Sequence, residues 1–223
     1  MKDSNKTENL KEKLKQALNS TAKVISDDIQ ITNDFENSKN SKKSDFFDLE
    51  NLNSKSDFIK ARAESDSSAL KKKFSNNEIY QKNLPSNSSC KSLYSVAEKI
   101  RYETLGSKML KGIEKNLKEN YNQIINFKRK DQLKSKEDTT ITEAFEIYML
   151  KHFLQVMPNS LCEKILSFWE DDFKNSFGKH LNYLKNNLEN QDLYSSKFTE
   201  ILNELDFLEK DEEQKNEKNQ NEN

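Results

Sequence analysis

Apolar residues recur every three or four positions along most of the chain with polar residues between them, the pattern of helices that bury one face. Leu10, Leu14, Ala17 or Leu18, Ala22 and Ile25 predict a first amphipathic helix. Ser56–Phe74 predicts a second, with Ser56 as its N-cap and Phe58, Ile59, Ala63, Ala69 or Leu70 and Phe74 as its apolar positions. A short helix over Asn76–Leu84 is closed by Pro85, because the residue before a proline avoids helical geometry. Pro85–Ser89 reads as a loop, and Ser88 or Ser89 caps the helix that follows. In that helix Leu93, Val96, Ile100, Thr104, Leu110, Ile113 and Leu117 form one stripe, and apolar character runs on through Ile124 and Ile125.

Thr140 lies three residues before Glu143, a capping-box spacing, and opens a helix reaching Val156. Leu161–Phe173 predicts the most apolar helix of the set, Phe177–Leu188 another, and Tyr194–Leu208 the last. Two stretches alternate instead, Asp28–Thr32 and Phe46–Leu49, and can pair as a short hairpin across a polar loop near 33–44. The expected fold is mainly α: seven to nine helices in one domain over residues 10–208, with polar, disordered ends at 1–9 and 209–223.

Within the stripe, Gly106 and Gly112 break the rule that helix interiors avoid glycine. Each costs roughly 1 kcal/mol against alanine, so each marks a break or a place where another backbone comes close.

Composition narrows the function classes. Of 223 residues 34% are charged, with 37 basic against 38 acidic, and lysine is interleaved with glutamate and aspartate along the chain. A nucleic-acid partner needs a basic footprint, and none is present. No apolar run is long enough to span a bilayer and Met1–Leu10 has no apolar core of a signal peptide, so a cytoplasmic protein without a membrane partner is expected. Cys90 and Cys162 are too few and too far apart for a disulfide framework. With His152 and His180 they offer no metal-ligand spacing, and three glycines cannot build a phosphate loop. No catalytic, cofactor-binding or metal residue is assigned. Arg101 with Glu103, and Arg62 with Glu64 and Asp66, form two charged groups on helices; they read as ion pairs within one core or as a docking surface for partner subunits.

The core R-x-E-x-L-G (Arg101, Glu103, Leu105, Gly106), followed by Gly112 and Asn116-Leu117, resembles the helix that marks the CobT subunit of aerobic cobaltochelatase. ARAESDSSAL (Ala61–Leu70), the Asn83-Leu84-Pro85 turn and Leu161 through Trp169 to Phe173 follow that family's amino-terminal region in order and spacing. Leu110 departs from it, standing where the family has methionine. The resemblance implies a non-catalytic subunit, or the amino-terminal piece of one, in an ATP-dependent enzyme that inserts cobalt into a corrin ring during cobalamin synthesis. It implies an AAA+ ATPase subunit and a large macrocycle-binding subunit as partners. ATP, magnesium and cobalt would be handled by the complex, with none of them bound by this chain. Arg62, Glu64, Arg101, Glu103, Gly106 and Gly112 are the residues such docking would use. The family's von Willebrand-type A domain, with its D-x-S-x-S ion site, is not found in this sequence. A helical interaction module with no enzymatic role is the alternative.

Overall fold

A computed structural model describes residues 2–27, 54–126 and 133–205. Among them the structure is helical without a strand: α1 (Lys2–Ser26), α2 (Lys55–Phe74), α3 (Asn77–Lys82), α4 (Ser88–Met109), α5 (Lys111–Asn126), α6 (Ile141–Met149), α7 (Ser160–Ser167), α8 (Glu170–Phe177), α9 (Leu181–Asn186) and α10 (Gln191–Asn203). The mainly α expectation holds. The hairpin pairing Asp28–Thr32 with Phe46–Leu49, the loop at 33–44 and the tail at 209–223 lie outside the described residues.

The helix expected from Leu10 begins at Lys2, so residues 2–9, expected to lack structure, are its first turns. Once a helix is nucleated each further residue adds a backbone bond, and no apolar contact is needed for it to continue. Leu18 and Ile25, seven residues apart, bury the inner face of α1. Ser54, not Ser56, caps α2: its hydroxyl accepts from Asp57 N–H while the Asp57 carboxylate accepts from Ser54 N–H, a reciprocal capping box. Asn76 caps α3 and Asn87, not either serine after it, caps α4. Thr140 caps α6 as its spacing predicts, accepting from Glu143 N–H at 3.2 Å.

The long stripe divides at Leu110, whose φ of −140° and ψ of 118° stop α4 and turn the chain into α5. The periodicity places Leu110 on the buried face, but it sits on this corner and is 45% exposed. The helix expected over Leu161–Phe173 is likewise two. Trp169, with φ −125° and ψ −3°, interrupts it, and its indole N–H donates to Thr139 Oγ1 at 2.9 Å while its ring stacks on Phe173. Three acids, Glu170, Asp171 and Asp172, then occupy the first turn of α8, where the helix dipole favours negative charge. After α6 the chain widens into a π-turn at Leu150–Leu154 and stops at Gln155 in the left-handed region, φ 54°, short of the expected Val156.

Helix α4 is the hub of the fold. It packs against α2 and α5 on one side and against α6, the π-turn and α10 on the other, while α1 lies on α2. Two apolar clusters result. The larger joins α4 to α6–α10 through Phe145, Phe173, Phe177, Phe198 and Tyr194. The smaller gathers Ile25, Leu70, Tyr102, Ile113 and Leu117 between α1, α2, α4 and α5, and Phe74 packs against both.

Candidate functional site

Of the charged residues singled out in the sequence, Arg101 and Glu103 lie on α4 and point inward. Arg101 is 0% exposed and its guanidinium grips Glu98 with two parallel bonds of 2.8 Å, from Nε and from Nη2. Its remaining N–H groups reach main-chain carbonyls of two other segments. Nη1 donates to Leu188 O at 2.8 Å in the α9–α10 connection, and Nη2 donates to Phe74 O at 2.5 Å at the end of α2. The last carbonyls of a helix have no partner inside it, and the negative end of its dipole favours a cation, so Arg101 answers both needs of α2. Glu98 is satisfied in turn by Ser75 Oγ at 2.6 Å and Gln191 Nε2 at 3.0 Å. Gln191 also exchanges two bonds with the backbone of Asn76, accepting at 2.6 Å and donating at 3.2 Å. One buried ion pair therefore pins the α2–α3 corner and the α9–α10 loop onto α4.

Two residues further along α4, and so on another side of it, Glu103 forms a second node. It is 1% exposed and accepts from Ser67 of α2 and Tyr121 of α5, both at 2.6 Å. Burial raises its pKa, against the pull of Lys99 and of the two hydroxyl bonds. Tyr121 is pushed well above its usual range by its own burial and by the adjoining Glu103 charge. Beside this node Asn116 Nδ2 donates to Asp66 Oδ2 at 2.7 Å, and burial raises the Asp66 pKa.

Leu105 and Gly106 complete the motif. Leu105 is in the larger cluster, and a Cβ at Gly106 would overlap the methyl groups of Leu70. The close approach predicted at Gly106 is thus made by a leucine side chain of α2. At Gly112 neither expectation applies: a Cβ there would meet nothing within 4 Å, and the break in the helix is at Leu110. Gly112 is exposed, as are Arg62, which lies over the Phe58 ring, and Glu64, which pairs loosely with Lys60 at 3.8 Å.

Two sequence motifs turn out to face each other. ARAESDSSAL supplies Asp66, Ser67 and Leu70 to meet Asn116, Glu103 and Gly106, so R-x-E-x-L-G and its followers are matched residue by residue against α2. The Asn83 turn is held by Thr199 Oγ1, which donates to Asn83 O at 2.5 Å, and by Asp192, which accepts from Asn83 Nδ2 at 3.0 Å. Ser75, Glu98, Tyr121 and Gln191 are network members that the sequence reading did not single out. Glu98 stands three residues before Arg101, a spacing that puts both on one helical face, whereas Gln191 carries no such signal.

Elsewhere, His152 is half-buried against Tyr148, and burial together with Lys185 lowers its pKa. Cys90 and Cys162 are buried. Among the described residues no three His, Cys, Asp or Glu side chains converge as a metal site would require, and no helix is long and apolar enough to cross a membrane.

What fold and site define is an all-α domain whose polar residues have been drawn inside to fix the angles between its helices. A family model described as cobalamin biosynthesis protein CobT matches residues 8–223, nearly the whole chain, and the chain belongs to that family. Of the motif residues that carry the resemblance, Arg101 sits in the first buried node and Ser67 and Glu103 in the second. No solved structure matches the chain.

Proposed function

We propose that this chain is a non-catalytic helical subunit, or part of one, in an ATP-dependent cobaltochelatase that inserts cobalt into a corrin ring during cobalamin synthesis. The observation that carries the reading is the family match over residues 8–223. In this role the chain is a rigid body. Arg101 and Glu103 hold its helices at fixed angles and leave its outer faces for an AAA+ ATPase subunit and a macrocycle-binding subunit. ATP and magnesium belong to the ATPase partner, cobalt is cargo, and the complex works in the cytoplasm. Since Arg101, Glu103 and Gly106 are turned inward, docking falls to exposed residues such as Arg62, Glu64 and Gly112.

The test is a pull-down from the source cell's extract with the tagged full chain as bait, with and without ATP, read by mass spectrometry. Recovery of an AAA+ ATPase together with a macrocycle-binding subunit supports the assignment. Recovery of neither, from bait that circular dichroism shows to be helical, overturns it in favour of an interaction module unconnected with chelation.

A further inference from the structure

A groove of about 660 Å3 runs between the start of α2 and the outer side of α5, with Ile59 at its base and Lys55, Lys115 and Lys118 on its rim. Among the described residues Lys55 and Lys115 have no ion-pair partner; Lys118 bonds Glu114 at 2.7 Å, and Glu119 is the one carboxylate lining the groove. At 100° per residue, positions seven and eleven apart fall within about 20° of each other on a helix. Gly112, Glu119 and Gln123 therefore lie in line along α5, which extends the groove's track to the bare backbone at Gly112. Among the described residues nothing asks for glycine at that point: no neighbour crowds it and its φ is not positive. Alanine would suit a helix better there, so the missing side chain leaves room for something from outside.

We infer that this track is the docking site for an acidic segment of another protein, its carboxylates meeting the lysines and an apolar residue entering over Ile59. Charge complementarity selects that occupant. A basic segment would face three rim lysines, and an uncharged one would leave Lys55 and Lys115 unanswered. Gly112 would let the far end of the segment pass close to α5. The inference does not depend on the chelatase reading, since it concerns the chemistry of the segment and not the enzyme that carries it.

The full chain is titrated into the fluorescein-labelled peptide EEDFEDLEE, with anisotropy as the readout. A saturable rise is expected, with binding weakened about tenfold or more by Lys115→Glu combined with Lys118→Glu, and by Gly112→Leu, while circular dichroism stays unchanged. A control in which serine replaces the Phe and Leu of the peptide should bind about tenfold more weakly. The proposal is overturned by absence of saturable binding, by equal binding of the serine control, or by folded variants that bind like the parent. Displacement of the peptide by polyuridylate at equal phosphate and carboxylate concentration also overturns it, since the track would then serve nucleic acid.

Discussion

Replacing Arg101 removes one side chain and strands several others. A leucine there would leave the Glu98 carboxylate buried without its cation and expose unpaired carbonyls at Phe74 and Leu188. Breaking a buried ion pair from one side costs about 3–5 kcal/mol, far more than the pair contributes relative to an apolar substitute. Arg101→Leu should lower the urea midpoint accordingly, and Arg101→Lys should recover only a fraction, since an ammonium cannot repeat the forked contact. A wild-type midpoint for Arg101→Leu would show that the node is solvated. Glu103 makes a prediction of the opposite sense. Its folded pKa is raised above 4.5, so between the unfolded and the folded pKa the folded state holds more protons than the unfolded one and stability falls as pH rises through that window. Glu103→Gln keeps the shape and removes the charge. Its urea midpoint relative to wild type should therefore climb as pH is raised above about 4.5, the ordinary pKa of a glutamate. A difference that stays constant with pH would mean Glu103 is ionised at no cost.

The packing of α2 on α4 depends on a leucine filling the space a glycine leaves. Leu70 is 0% exposed and sits where a Cβ on residue 106 would go, so Gly106→Ala must displace a fully buried side chain. Overpacking of this sort costs about 1–3 kcal/mol. Leu70→Ala opens a cavity and costs about 2–5 kcal/mol alone. In the double variant each change relieves the other, so the combined loss in chemical denaturation should be clearly smaller than the sum. Strict additivity would contradict direct contact. How far these elements were legible varies with the kind of signal. Gly106 stood out because a glycine on an apolar stripe contradicts propensity, although the sequence could not say whether backbone or side chain filled the gap. Ser54 with Asp57 has the three-residue spacing of a capping box, yet Ser56 lay nearer the first apolar residue, and neighbouring cap formers are hard to rank from sequence. The break at Trp169 has no local sign at all. It coincides with a hydrogen bond to Thr139, thirty residues away. Arg101 and Glu103 were noticed as charges within an apolar pattern, but their inward direction follows from Gln191, Ser67 and Tyr121, which only the fold brings near.

At the scale of the molecule the question is whether two apolar clusters make one cooperative unit. The larger holds Trp169, the chain's only tryptophan, and the smaller holds Ile25. Three features couple them: α4 runs through both, Phe74 packs on both, and Arg101 fastens the end of α2 to the α9–α10 loop. A domain joined this tightly should unfold in a single step, with tryptophan fluorescence and far-ultraviolet circular dichroism giving the same urea midpoint. Ile25→Ala sharpens the test, because it damages the small cluster alone by about 2–5 kcal/mol. If the clusters are one unit, the fluorescence midpoint of Trp169 falls as far as the circular dichroism midpoint, although the substitution lies in the other cluster. If instead α1 and α2 come away first, circular dichroism drops early and Trp169 fluorescence keeps its wild-type midpoint. The sequence pattern R-x-E-x-L-G would then mark the seam between two folding units instead of the centre of one.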